Sequence, residues 1–148
     1  MFNTNLLSLN LDKTHFIQFV TKNSPSIDFN IMRGNKKIGN VYDTKFLGLT
    51  LDNTLSWRTH IDTIIPKLSS ASFSFRVVKP FLSQDSMKIV YYSYFHSIMT
   101  YGLIFWRNSH YSNIFRLQKI IIRIIAGTRG RDSCREHFTK LKILPLQS

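Results

Sequence analysis

The chain is short of acid, of cysteine and of any glycine-rich run, and each shortage closes off a class of function. Only eight Asp and Glu stand among 148 residues. They are Asp12, Asp28, Asp43, Asp52, Asp62, Asp85, Asp132 and Glu136, and no two are adjacent. A two-metal polymerase or nuclease centre needs clustered anionic oxygens to hold its ions, so such a centre is not expected from this chain alone. Asp43 and Asp52 fall at strand ends, where turn duty explains them. The single cysteine, Cys134, excludes an internal disulfide framework and suits a reducing compartment. Cys134 and His137 stand at metal-ligand spacing, yet structural zinc takes four ligands and no second pair lies nearby. A small buried thiol and a surface histidine are expected there. Five scattered His carry no local signature of Ser-His-Asp or Cys-His catalysis. Gly34, Gly39 and Gly48 read as turn or strand glycines rather than a phosphate-cradling loop.

Membrane and export signals are also thin. Met1-Phe2-Asn3-Thr4 shows neither the basic region nor the apolar core of a secretory signal, and an intracellular setting, nuclear or cytoplasmic, is expected. From Ile89 to Trp106 no Lys, Arg, Asp or Glu occurs, close to the roughly 20 residues a bilayer helix needs. That run holds Tyr91, Tyr92, Ser93, Tyr94, His96, Ser97, Thr100 and Gly102, which are costly at a bilayer centre and ordinary in an aromatic-rich core helix. A core helix, and no membrane partner, is the expectation.

What the chain has in quantity is apolar bulk and positive charge. Apolar residues make up 43%, enough for a packed interior in one domain or two small subdomains. Twelve Phe should point largely inward. Twenty Lys and Arg against the eight acids give a formal net charge of +12, which calls for a polyanionic partner, nucleic acid being the commonest.

Patterning divides the chain near Ser56, giving 1–55 and 56–148. The first part alternates at period two: Leu7, Leu9 and Leu11, then Phe16 to Val20, then Ile27-Asp28-Phe29-Asn30-Ile31 as a half-buried strand. Arg33-Gly34-Asn35-Lys36 signals a hairpin turn. Lys37 to Val41 and Lys45 to Leu51 complete a small antiparallel sheet that ends at Asp52-Asn53. In the second part the period is helical. Ser56 is placed to cap a helix carrying Ile61, Ile64, Ile65, Leu68, Phe75 and Val78, with Pro66 expected to kink or restart it and Pro80 to close it. Ser83 caps a second helix with Met87, Val90, Tyr91, Tyr94 and Ile98 on one side, broken late by Gly102. A third carries Ile114, Leu117, Ile121, Ile124 and Ile125 as one stripe, with Arg116, Lys119 and Arg123 nearly opposite, and stops at Gly127. Asp132 or Ser133 starts a last short helix. The fold class is therefore α+β, a small antiparallel β-sheet followed by a helical bundle.

Two basic sets emerge. Lys36, Lys37 and Lys45 cluster around the hairpin, and Arg116, Lys119, Arg123, Arg129 and Arg131 follow on the third helix and the loop after it. Cations along a rigid face neutralise successive phosphates and release counterions.

Three stretches, in order, resemble the C-terminal portion of LINE-type (non-LTR) retrotransposon reverse transcriptases. Leu9-Asn10-Leu11-Asp12-Lys13-Thr14 is similar to the family's Leu-Asn, two variable residues, Lys-Thr motif. Lys45-Phe46-Leu47-Gly48-Leu49-Thr50-Leu51-Asp52, followed by Leu55-Ser56-Trp57 and His60-Ile61, resembles the primer-grip hairpin and the opening of the thumb. Tyr101-Gly102 with Trp106, then Arg116-Leu117-Gln118-Lys119 and Ile122-Arg123-Ile124-Ile125, resembles the helical tail after the thumb.

The resemblance implies that Lys13 matches the lysine proposed to act as general acid on departing pyrophosphate, and that Phe46, Leu47 and Gly48 match the primer-grip strand. It implies an RNA or DNA primer–template as partner, together with the palm and fingers of a longer chain. Magnesium is the implied cofactor of full-length relatives, and none is expected in this chain. The family's aromatic-Ala-Asp-Asp turn and its earlier aspartate lie upstream of the matching region. The expectation is a palm remnant with thumb and connection, a truncated piece of an RNA-directed DNA polymerase that is inactive alone. An independent basic helical nucleic-acid-binding module, or a non-functional transposon remnant, is the alternative.

Overall fold

The computed structural model describes residues 9–21, 23, 27–109, 111–128 and 133–146. The fold is α+β, with short strands first and helices after. The chain falls into two compact units, residues 1–59 and 60–148.

The first unit contains three two-stranded pieces. β1 (His15–Ile17) pairs in parallel with β4 (Gly39–Val41), and the His15 Nε2 lies 2.9 Å from the Thr44 hydroxyl. β2 (Met32–Arg33) and β3 (Lys36–Lys37) form the hairpin expected around Gly34-Asn35, with Gly34 at φ +60° as such a turn needs. β5 (Asp43–Phe46) and β6 (Leu49–Asp52) form a second antiparallel hairpin.

Two expectations for this unit need correction. Residues 27–31 form no strand, and Ile27 and Phe29 are half exposed or more, at 55% and 50%. Alternation at period two buries a face only where another surface covers it. Here the neighbouring ladder is two residues long, and the segment makes one backbone bond, Ile38 N–H to the Ile31 carbonyl at 2.9 Å. The run from Lys45 to Leu51 is likewise not one strand. It folds back at Leu47-Gly48, both at positive φ, +47° and +79°, which is the two-residue turn that matches strand twist.

Asp52 ends the sheet and starts the helices. Its carboxylate accepts from the N–H groups of Thr54, Ser56 and Trp57 at 3.1, 2.9 and 2.7 Å, and from the Thr54 hydroxyl at 2.6 Å. Those bonds hold the lead-in to the helix. Ser56 stands where its expected cap requires, its hydroxyl 3.4 Å from the N–H of Arg58, the first residue of α1. Leu55 and Trp57 are held at φ +51° and +61°, a conformation that persists because Asp52 fixes the backbone on both sides.

α1 (Arg58–Val78) runs unbroken through Pro66 and passes into a single 3-10 turn at Lys79–Phe81. Its buried positions Ile64, Leu68, Ala71 and Phe75 keep the spacing of a regular helix. Ser83 caps α2 (Gln84–Val90), accepting from Ser86 N–H at 3.2 Å. The chain then continues through a π-helical turn, Tyr91–His96, into α3 (Ser97–Thr100).

That π turn corrects the expected stripe. The buried residues are Met87, Tyr91, Phe95 and Met99, every fourth position, while Tyr94 is exposed and Val90 and Ile98 are half-buried. Steps of four overshoot an α-helical turn by about 40° each. A turn with wider hydrogen bonding takes up more residues and brings the four side chains back to one face.

Gly102, at φ +66°, turns the chain into α4 (Leu103–Trp106), and the Trp106 indole N–H donates to the Tyr101 carbonyl at 3.0 Å. α5 (Ser112–Ala126) ends at Gly127, φ +74°, and α6 (Arg135–Leu141) closes the unit. Of the stripe expected on α5, Ile114, Ile121 and Ile125 are buried and Leu117 and Ile124 only half so, while Gln118 and Ile122 are buried as deeply as Ile114 and Ile121. Cys134 is buried as expected, and His137 is half-buried. Among the described residues no helix is long and apolar enough to cross a membrane.

Candidate nucleic-acid interface

α5 carries no acidic residue, and Asp85 is the only acid between Asp62 and Asp132. Within α5 itself, therefore, no carboxylate offsets its cations. Arg116 is exposed, whereas Lys119 and Arg123 are half-buried. Arg116 and Arg123 are seven residues apart, so they nearly align along the helix, about 10 Å from one another in rise.

Two hollows flank α5 in this second unit. One, of about 490 Å³, is lined by Arg76, Arg116, Ile120, Arg123, Ile124 and Thr128. Arg76 of α1 and Arg116 and Arg123 of α5 thus line a single concavity, and no carboxylate stands among its described lining residues. Lys79 extends the same edge: its Nζ lies 3.6 Å from where a Cβ on Gly127 would stand. The second hollow, of about 410 Å³, lies between α5 and α6 and is lined by Phe115, Lys119, Arg123, Ser133, Cys134, Arg135, Phe138 and Pro145. Phe115 stacks on Phe138 with ring centroids 6.4 Å apart, and the Lys119 ammonium lies 4.2 Å over the Phe115 ring. The Cys134 thiol is turned inward to the Lys119 carbonyl, 3.6 Å away. Arg123 lines both hollows.

Guanidinium is suited to such a place. Its planar fork donates two bonds at once to a phosphate, and it stays charged at any physiological pH. Arg76 and Arg135 were not singled out by sequence patterning. Arg76 follows the buried Phe75 and Arg135 the buried Cys134, and only the packing of α1 and α6 shows which side of each faces α5. The scarcity of acid from Asp62 to Asp132 was the available signal.

The first unit gathers its cations less well. Lys36 makes an ion pair with Asp12, both side chains being exposed. Lys37 and Lys45 are exposed on β3 and β5. Lys13 is exposed in a turn in which the Asn10 side chain accepts from the N–H groups of Asp12 and Lys13. Phe46 is 60% exposed at a strand end, with Leu47 and Gly48 forming the hairpin tip. Arg129, Arg131 and Asp132 lie outside the described residues, as does Leu7.

Among the described residues no three His, Cys, Asp or Glu side chains gather where a metal ion could be held. Compared with protein-family models, with curated proteins and with solved structures, the chain matches none.

Proposed function

We propose that this chain binds nucleic acid through its phosphates at the helical unit, in the manner of a thumb-like region that holds a primer–template. The supporting observation is the hollow lined by Arg76, Arg116 and Arg123 from two helices, with no carboxylate among its described lining residues. The buried faces of α1 and α5 fix the two backbones from which these arginines project. Contacts of this kind fix register on a strand and carry no sequence information, which is what holding an arbitrary primer–template requires. The ordered likeness of Leu9–Thr14, Lys45–Asp52 and Arg116–Ile125 to reverse transcriptases of the LINE type supports the primer–template as the natural partner.

The test is equilibrium binding of labelled RNA–DNA, DNA and RNA oligonucleotides of unrelated sequence at several salt concentrations. If these three arginines and Lys79 each neutralise one phosphate, the logarithm of the binding constant falls with the logarithm of salt at a slope near −3.6 on duplex DNA. Affinities that agree between sequences fit the reading. A flat salt response overturns it, and a strong preference for one sequence moves the assignment to a dedicated recognition module.

A further inference from the structure

The exposed apolar side chains of the second unit include a short ridge on α1. Phe73 is 66% exposed, Val77 52% and Phe81 83%. They follow at steps of four, so Phe73 and Val77 share one helix face and Phe81 carries the ridge past the helix end. Arg76 stands three residues after Phe73, on the adjoining strip of the same helix, and lines the hollow that Arg116 and Arg123 line. A bare aromatic ring therefore borders a hollow built for phosphate.

What covers that ring can be argued from its surroundings. An apolar protein partner would ask for a broad apolar patch. Around Phe73 the helix instead shows Ser69, Ser70, Ser74 and Arg76, all exposed, and Val77 and Phe81 are what extends its apolar ridge. The charge of the neighbourhood asks for an anion, with Lys79 beside Gly127 adding to the three arginines. A ligand that is anionic along its backbone and presents flat π faces at intervals meets both demands. Paired nucleic acid keeps its base faces stacked on one another, whereas an unpaired strand offers them.

We propose that this edge of the site takes an unpaired nucleic-acid strand, one base stacked on the Phe73 ring while an adjacent phosphate sits at Arg76. The inference rests on the phosphate-binding reading above and narrows its substrate. Stacking on a ring accepts any base, so it adds affinity for unpaired strands without adding sequence preference. It also places the strand: its backbone lies toward α5 and its bases toward the solvent side of α1.

Anisotropy titrations with a labelled single strand and with the blunt duplex of the same sequence test this, on the wild type, Phe73→Ala, Phe73→Tyr and Arg76→Ala. Phe73→Ala is expected to weaken single-strand binding roughly 5- to 150-fold and duplex binding less than about twofold. Phe73→Tyr keeps the ring and restores the single-strand affinity, and Arg76→Ala weakens both ligands. Circular dichroism controls for folding, which the exposure of Phe73 protects. Equal losses on both ligands, or none, overturn the stacking proposal while leaving phosphate binding in place. A wild-type dimer that Phe73→Ala converts to monomer overturns it too, because a second copy would then cover the ridge. Absence of salt-dependent binding to either ligand overturns the phosphate reading itself.

Discussion

The Gln118 carboxamide donates to the Tyr91 hydroxyl across 2.9 Å, joining the middle of α5 to the first residue of the π turn. Both side chains are completely buried. The same Nε2 donates to the Leu144 carbonyl at 3.0 Å, and Oε1 accepts from Leu146 N–H at 2.9 Å, so one side chain also ties down the segment after α6. Burial pushes the Tyr91 phenol up to about 12, an effect that the Gln118 bond opposes and the neighbouring Tyr92 adds to. The phenol is neutral throughout the working range of pH and serves as a fixed partner.

Replacing Gln118 tests how much that junction holds. Gln118→Leu keeps the volume and loses three hydrogen bonds, for a cost of roughly 2–4 kcal/mol in urea unfolding at neutral pH. Gln118→Glu should cost more at pH 7, because an ionised carboxylate would be buried in a dry site against the Leu144 carbonyl, which cannot donate to it. Its folded pKa is then raised above the unfolded value near 4.3, so the neutral acid is the form the fold prefers and the deficit shrinks as pH falls toward that value. A Glu variant as stable as the Leu variant at pH 7 would show the site to be wet.

Asp52 makes a second prediction, with the opposite dependence on pH. Burial alone would raise its carboxyl, but the Thr54 hydroxyl and the N–H groups of Ser56, Trp57 and Thr54 outweigh that and hold it below the ordinary 3.8. Above 3.8 the carboxylate is ionised in both folded and unfolded chains, and the stabilisation is fully present. As pH drops below 3.8 the unfolded carboxylate takes up its proton first, and the stabilisation disappears as the folded one follows. Asp52→Asn should therefore cost about 2 kcal/mol at pH 7, the usual scale for bonds to a charged acceptor, and much less in strong acid. Amide exchange at Trp57, whose N–H lies 2.7 Å from the carboxylate, reads the local effect.

These two residues also show what was legible in the sequence. The change from period two to helical spacing, the Gly34-Asn35 turn, the Ser83 cap and the stops at Gly102 and Gly127 are local signals, carried by one or two residues each. Gln118 was invisible to a hydrophobic count because a buried amide is decided by what lies opposite it, here Tyr91 and residues 144–146. The stripe on α2 failed for a related reason: spacing of four looks like drift until a π turn supplies the extra residue. Residues 27–31 alternate correctly, but alternation cannot say whether a covering surface exists. At the candidate site Arg116, Lys119 and Arg123 were legible from α5 alone, whereas Arg76 and Arg135 needed the positions of α1 and α6.

Leu47 offers a gain of stability. It holds φ +47° in the turn between β5 and β6, is 75% exposed, and precedes Gly48 at φ +79°. A branched aliphatic residue is penalised in that left-handed conformation, whereas Asn is tolerated and Asn-Gly is the preferred pair for such a hairpin. Leu47→Asn should raise stability by about 0.5–1 kcal/mol, since little buried surface is lost. Loss of stability instead would show that the Leu47 side chain packs against something.

The last prediction separates the two basic sets by their charge partners. Lys36 faces the Asp12 carboxylate, so a phosphate arriving there displaces an internal anion as well as a counterion. Arg116 lines a hollow with Arg76 and Arg123, and no carboxylate stands among its described lining residues for a phosphate to displace. The net gain per contact is larger at Arg116. Arg116→Ala should weaken binding of every oligonucleotide by a similar factor and make the salt slope shallower by about one. Lys36→Ala should change the slope by much less, and Asp12→Ala should strengthen binding slightly by freeing the lysine. Salt titrations of the three variants check the ordering. A larger slope change from Lys36→Ala than from Arg116→Ala would move the interface from the helices to the β2–β3 hairpin.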